Sequence, residues 1–198
     1  MSFRKLMLTL LITLAACAPV LADWTYNPST AHWYDLTPTG LTWAQAEVWA
    51  TKHGAHLVAI NDAAENAWIL QQFGNNPDNI WIGLQQLPCT PEPTCGWGWS
   101  NGDSFGYTNW SSGEPNQSSG MEEDVGQMWS IIGHPVSGPY AQGTWNDTTS
   151  PEHLGIGIIE REIDPAVPTV SEWGLVVMTL LTLAAGTILL VRPRLARM

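Results

Sequence analysis

The sequence predicts a single domain of the α+β class, in which two helices precede an irregular antiparallel sheet with long loops. Two helix-start signals lie in the first third of the chain. After Gly74 the pattern changes to short apolar runs separated by Gly, Pro, Ser and Asn, which is typical of strands. The 198 residues suffice for one ordinary domain, and the 12 tryptophans can anchor its loops.

Each predicted helix begins with a side chain that can cap its first turn. Thr42, with Gln45 three residues later, forms a capping box, and Gly54 can end that helix. Asp62, with Glu65 three residues later, begins the second helix, whose apolar positions continue over about ten residues.

The predicted strands are short apolar or aromatic runs. One buried strand is expected at 56–60, between the two helices. The others are expected in the segments 80–84, 97–102, 105–110, 125–131, 143–147 and 154–161. Cys89 and Cys95 flank a Pro-rich loop, and in an oxidising compartment a local disulfide between them is the expected state.

The first residues, 1–22, have the features of a secretory signal peptide. A basic start is followed by an apolar run and by small residues, and cleavage is expected after Ala22. The segment 14–17 also resembles a lipobox, which would instead make Cys17 a lipidated N-terminus. The folded domain is expected at 23–162.

The C-terminal tail contains three successive features. Residues 163–173 form a linker that contains a short motif. The uncharged run 174–191 has the minimum length for one membrane-spanning helix. The basic tip, 192–198, is expected on the cytoplasmic side of the membrane. The tail resembles bacterial PEP-CTERM-like sorting signals of the IPTL kind. This resemblance implies an exosortase-type processing enzyme and an exported protein that is membrane-anchored, sorted to the cell surface or released. The motif residues are Val167, Pro168, Thr169, Val170, Ser171, Glu172, Trp173 and Gly174.

The predicted domain is strongly acidic. The chain has a formal net charge of −11, and the segment 23–164 contains seventeen acidic residues against two basic ones. Nucleic-acid binding is not expected, because phosphate contacts need Lys and Arg. Four carboxylates crowd into the loop 113–124, which holds no Lys or Arg. Such a loop favours a bound cation, and its carboxylate and amide oxygens suit calcium.

Five motifs occur in the order and spacing of a C-type lectin domain, and the resemblance extends over about residues 24–162. The motifs are Trp81-Ile82-Gly83-Leu84, Asn109-Trp110, Glu114-Pro115-Asn116, Glu123-Asp124 and Trp145-Asn146-Asp147. The upstream segment 42–60 is similar to the first helix and following strand of that domain. Cysteines that tie the core together in animal members have no counterpart here, so the resemblance is to divergent bacterial members.

The resemblance implies a C-type lectin fold with a long calcium-binding loop that recognises a carbohydrate through bound Ca²⁺. By the family's motif, the residues that bind calcium and also contact the sugar are Glu114, Asn116, Glu123, Asn146 and Asp147. In the family, the order Glu-Pro-Asn goes with mannose-type sugars. A cis bond before Pro115 would turn the side chains that flank it to one side.

Two other interpretations of the acidic loop stay open. It can be the metal-free surface of a structural or protein-binding domain with the same fold. Paired carboxylates can also hydrolyse glycosides. A general acid usually needs an apolar surround, however, and this loop is polar, so no enzymatic activity is expected.

Overall fold

A computed structural model describes residues 24–118, 121–149 and 153–162, together with 177, 179 and 180. The expected signal peptide, the alternative lipidation site at Cys17, the linker, the sorting motif and the basic tip all lie outside the described residues. So does the expected membrane helix, apart from residues 177, 179 and 180, which are helical. In the described part of the chain, no helix is long and apolar enough to cross a membrane.

The chain divides into two compact units, Met1–Ile163 and Asp164–Met198. The first unit contains two helices, α1 (Trp43–Lys52) and α2 (Ala63–Phe73). Both start at the predicted caps. The Thr42 hydroxyl accepts a hydrogen bond from the Gln45 N–H, and the Gln45 side chain accepts one from the Thr42 N–H. The Asp62 carboxylate accepts from the Glu65 N–H at 2.8 Å. Because these contacts lie within one turn, they form wherever the local sequence provides them.

The described residues of the first unit also form eight strands. They are β1 (Thr25–Asn27), β2 (His32–Leu36), β3 (His56–Leu57), β4 (Asn79–Gln86), β5 (Trp97–Trp99), β6 (Val125–Met128), β7 (Trp145–Thr148) and β8 (Gly155–Arg161). The order in the sheet is β1-β2-β8-β4-β6-β7, with β3 beside β8 and β5 beside β4. Strands β4 and β8 pair in parallel, whereas the other pairs are antiparallel. The expected irregular antiparallel sheet is therefore mixed in one place, because the long connection from β4 allows β8 to return in the same direction.

Other differences from the expected strands arise where distant pairing or side-chain packing decides the backbone structure. Strands β1 and β2 were not expected, and β2 is held by β8 from the other end of the domain, with Tyr34 opposite Glu160. The expected strand at 105–110 is absent apart from one bridge between Trp110 and Trp145, because its aromatic side chains pack on the core instead of pairing in a ladder. The strand expected at 56–60 is reduced to β3.

Two buried indoles anchor the sheet. The Trp81 side chain donates to the Leu41 carbonyl oxygen at 2.9 Å, and the Trp145 side chain donates to Asn66 Oδ1 at 2.9 Å. Both tryptophans are fully buried. Because each indole N–H has a partner, these large side chains contribute apolar burial without an unpaired donor. Trp145 begins β7 and so fixes the strand that carries two of the expected ligands.

The predicted disulfide between Cys89 and Cys95 is confirmed, with 5.9 Å between the two Cα atoms. It closes a short loop between β4 and β5.

Candidate functional site

The pairing of β6 with β7 brings Asp147 beside the acidic loop 113–124. Gly126 lies opposite Asp147 in this antiparallel pair, and Gln127 lies opposite Asn146. The Asn116 N–H donates to Asp147 Oδ2 at 2.8 Å, which joins the loop to the strand. Residues about thirty positions apart in the sequence therefore meet at one place.

Three of the five expected ligands, Glu114, Asn116 and Asp147, are joined there by hydrogen bonds. Asn146 directly precedes Asp147 in β7. The peptide bond between Glu114 and Pro115 is cis. The Asn116 side-chain amide donates to Glu114 Oε2. The Asn146 side-chain amide donates to the Asp147 carbonyl oxygen at 2.5 Å. The Glu114 and Asp147 carboxylates and the Asn116 amide consequently border one small region.

The fifth expected ligand, Glu123, lies in the same loop but is not joined to the other four by any hydrogen bond among the described residues. Its side chain is largely buried, and its carboxylate accepts from the Ser118 N–H at 2.7 Å. The structure thus places Glu123 where it orders the loop backbone.

Asp147 has an unusual electrostatic environment. Its side chain is 1% exposed, and its Oδ1 atom is buried without a hydrogen-bond partner among the described residues. Burial and, to a smaller extent, the neighbouring Glu114 carboxylate raise the pKa of Asp147 to about 7, although the hydrogen bond from the Asn116 N–H acts in the opposite direction. A buried carboxylate with a free oxygen beside a second carboxylate is stabilised by a proton or a cation.

The donor atoms favour calcium over the transition metals. Within the described ranges, no group of three or more His, Cys, Asp or Glu side chains could by itself hold a metal ion. The group that the structure joins is instead mixed, with carboxylates from Glu114 and Asp147 and the amide of Asn116, and Asn146 offers a second amide from the adjacent position in β7. Calcium accepts such mixed oxygen ligands, whereas zinc favours imidazole and thiolate. The residues present therefore fit a calcium ion.

Ser111 connects three parts of the site and was not singled out from the sequence. Its N–H donates to the Trp145 carbonyl at 2.8 Å, and its carbonyl accepts from the Glu114 N–H at 3.0 Å. Its hydroxyl accepts from the Tyr140 N–H at 2.9 Å. The sequence gives little sign of this role, since a buried serine after a Trp residue resembles many others.

Sequence comparison relates the chain to one family. The family profile described as Lectin C-type domain matches residues 39–155. The chain is 32% identical over 139 residues to a C-type lectin from Micrurus corallinus, covering 68% of this chain and 78% of that protein. It is 28% identical over 137 residues to the C-type lectin domain family 10 member A from Homo sapiens, covering 68% of this chain but only 37% of that protein. Both relatives are eukaryotic, so they lend no support to the expected bacterial type.

Solved structures with the same fold include proteins of different kinds. The mouse scavenger receptor C-type lectin carbohydrate-recognition domain superposes with a TM-score of 0.56 at 26% identity, covering 76% of this chain and 100% of that one. A Ca²⁺-dependent type II antifreeze protein in its Ca²⁺-free form superposes with a TM-score of 0.54 at 24% identity, covering 73% and 99%. The expected fold is confirmed in its two helices and its sheet, which is mixed.

Proposed function

The chain belongs to the C-type lectin domain family, and we propose that it binds carbohydrate in a calcium-dependent manner, with a preference for mannose-type sugars. Domains of this family are generally non-enzymatic binding modules, so the proposed activity is recognition without catalysis. The observation that carries the proposal is the buried, unpartnered Oδ1 atom of Asp147 beside the Glu114 carboxylate.

The proposed ligand set keeps all five expected residues. Glu114, Asn116 and Asp147 border one region and would hold the calcium ion. Asn146 would join them from β7, and Glu123 from the acidic loop. Bound calcium would supply coordination positions for two neighbouring hydroxyl groups of a sugar.

The side chains of the site would then orient the sugar by hydrogen bonding. A carboxylate can only accept, so Glu114 would receive a proton donated by a sugar hydroxyl. The amides of Asn116 and Asn146 can donate, so each would give a hydrogen bond to a hydroxyl oxygen. Because the acceptor and donor positions are fixed by the fold, the site would distinguish sugars by the orientation of adjacent hydroxyl groups.

A glycan array with millimolar calcium and with EDTA tests the proposed function. We expect retention on immobilised mannose in calcium and release by EDTA. Absence of retention on every glycan in calcium would refute carbohydrate binding. An unchanged melting temperature between the two buffers would refute the calcium site, since a ligand that binds only the native state must raise stability.

The mannose preference is tested by exchanging the acceptor and the donor. The double variant Glu114→Gln, Asn116→Asp preserves net charge and shape but reverses the hydrogen-bond polarity. Each unpaired polar group is unfavourable by about 1–3 kcal/mol, so we expect a roughly ten- to hundredfold loss of mannose affinity with calcium binding retained. The control is Glu122→Gln, which neutralises an exposed carboxylate of the same loop. Equal mannose binding by the double variant and the wild type would place the sugar site elsewhere.

The fold similarity to an antifreeze protein favours one alternative function. A domain with this fold could use the ordered loop to bind a protein or another surface, with no sugar ligand. Calcium-dependent stability without retention on any glycan would support this alternative. Retention on a glycan column with release by a chelator would exclude it.

We further propose that the domain 23–162 is exported, on the basis of the predicted signal peptide and the tail 163–198. The proposed partners of the tail are the membrane, through 174–191, and an exosortase-type sorting enzyme. Fractionation of cells that produce the full chain or a chain truncated after Asp164 tests this. Equal surface attachment of both would refute the role of the tail and favour lipidation at Cys17.

A further inference from the structure

The segment that joins β6 to β7, residues 129–144, forms an uncharged apolar surface on an acidic protein. It contains no Asp, Glu, Lys or Arg, whereas the chain carries a net charge of −11. Val136 is 84% exposed, Tyr140 is 52% exposed, and Ile132 is also exposed. We refer to residues 129–144 as the connecting loop. An exposed apolar surface of this kind commonly marks a contact with a ligand or a partner.

The connecting loop is ordered by its own hydrogen bonds. Gly143 N–H donates to the Trp129 carbonyl at 2.8 Å, and Trp129 N–H donates to the Thr144 carbonyl at 2.9 Å. The Gln142 side-chain amide donates to the His134 carbonyl at 2.7 Å. A loop held in this way loses little conformational entropy when a ligand binds, so its side chains are pre-organised for contact.

Three aromatic rings form the centre of this surface. The His134 ring lies 4.6 Å from the Trp129 ring at an interplanar angle of 33°, and so covers part of the indole. The Tyr140 ring lies 5.5 Å from Trp129 at 85°, an edge-on contact. The Tyr140 ring is therefore oriented by its contact with Trp129, while about half of the Tyr140 surface is exposed to solvent.

Tyr140 is also close to the candidate calcium site. Its N–H donates to the Ser111 hydroxyl at 2.9 Å, and the Ser111 carbonyl accepts from the Glu114 N–H at 3.0 Å. A single residue thus separates the aromatic surface from a proposed ligand of calcium. A ligand bound at Glu114 that is longer than one sugar ring could reach the connecting loop.

We propose that Tyr140, supported by Trp129, is a second carbohydrate contact, so that the preferred ligand is an oligosaccharide and not a single sugar. This inference rests on the proposed function, because the first sugar ring is bound at the calcium site. The apolar C–H face of a second ring packs against the open tyrosine ring, as flat apolar groups pack on aromatic rings. An uncharged surface of Tyr, Ser and Gly suits a neutral, hydroxyl-rich ligand.

The test compares mannose with a linear mannotriose in calcium, by calorimetric titration of the full-length protein. Because any of its three rings could occupy the calcium site, the trisaccharide would bind at most threefold more tightly than mannose for statistical reasons alone. Burial of about 40 Å² of apolar ring surface gives a further factor of about five. We therefore expect the wild type to bind mannotriose more than about fivefold tighter than mannose. In Tyr140→Ala the difference should fall to the statistical threefold, with mannose affinity unchanged.

Two variants separate the ring from other effects. Tyr140→Phe retains the ring and should bind mannotriose like the wild type. Tyr26→Ala removes another exposed tyrosine, 45% exposed in β1, and should leave both affinities unchanged. Unchanged mannose affinity in Tyr140→Ala also shows that this variant is folded.

Several results would overturn the inference. A wild type that binds both sugars within threefold removes the second contact and leaves the proposed function intact. An equal loss of affinity for both sugars in Tyr140→Ala would show that Tyr140 stabilises the calcium site and does not contact a second ring. A dimer that dissociates in Tyr140→Ala, seen by sedimentation, would assign the surface to contact between copies of the chain. If neither sugar binds the wild type in calcium, the proposed function fails and this inference fails with it.

Discussion

Replacement of Asp147 by Asn should raise stability in the absence of calcium and remove most of the stability that calcium adds. Without calcium, the Asp147 carboxylate is buried, has one oxygen without a partner and lies beside Glu114. The isosteric amide removes one of two neighbouring charges, and its N–H₂ group can donate to the Glu114 carboxylate. Its oxygen can still accept from the Asn116 N–H. The variant should therefore be more stable than the wild type in EDTA.

The size of the gain follows from the pKa of the buried carboxyl. A rise from 3.8 to about 7 corresponds to roughly 4 kcal/mol against the charged form at pH 7.5. A raised pKa means that folding favours the protonated form, so this penalty is absent below pH 3.8 and grows until the pH exceeds about 7. The variant removes only part of this penalty, because the Glu114 carboxylate stays charged at the site. We therefore expect the variant to gain about 2 kcal/mol of stability, or about 8 °C in melting temperature.

Calcium should cancel this advantage of the variant, because it stabilises the wild type far more. At a calcium concentration a hundredfold above Kd, the wild type gains about 2.7 kcal/mol. A hundredfold weaker site gains only about 0.4 kcal/mol at the same concentration. Loss of one carboxylate ligand should produce a decrease of this order, because the remaining amides carry no charge to offset the dehydration of the ion. The calcium-dependent rise in melting temperature should therefore nearly disappear in Asp147→Asn.

Calorimetric melting at pH 7.5, in EDTA and in calcium, measures both effects for wild type, Asp147→Asn and the control Glu122→Gln. Glu122 is exposed and matches no expected ligand, so its replacement should change neither melting temperature by more than about 2 °C. Lower stability of Asp147→Asn in EDTA would refute the electrostatic reasoning. A calcium shift equal to that of the wild type would refute the role of Asp147 in the site.

Two further predictions concern the sheet. In Gly126→Ala, the new Cβ would lie 2.6 Å from the Leu84 Cβ, so we expect the free energy of unfolding, measured in urea, to fall by about 1–3 kcal/mol. The control is Gly98→Ala, whose new Cβ would have nothing within 4 Å, and its free energy of unfolding should fall by no more than about 1 kcal/mol. An equal loss of stability in both variants would show that the effect comes from the backbone flexibility of glycine and not from the close contact with Leu84. The hydrogen bond to Glu160 raises the pKa of His32, so the associated stability is full below about pH 6.5 and is lost as the pH rises through the folded value. His32→Asn should flatten the change in melting temperature between pH 5.5 and 8, and an unchanged slope would contradict this.

Elements with local signals could be predicted well from the sequence. Both helices start at the expected caps, because Thr42 and Asp62 make their capping contacts within one turn. The disulfide between Cys89 and Cys95 is equally local, since the two cysteines are only six positions apart in the sequence. Strands β1 and β2 escaped prediction, because β2 is stabilised by β8, which lies more than a hundred residues later.

The sequence by itself determined the family, the helices and the chemical nature of the candidate ligands, since motifs and caps depend on residue identity and short spacing. Only the tertiary structure decided how these ligands are arranged. The β6–β7 register buries Asp147 beside Glu114 and leaves one of its oxygens unpartnered, whereas Glu123 is directed to the loop backbone. The connecting loop acquires its place through Ser111. These relations depend on contacts between residues far apart in the chain, which form only when the whole sheet is assembled, so no local pattern encodes them.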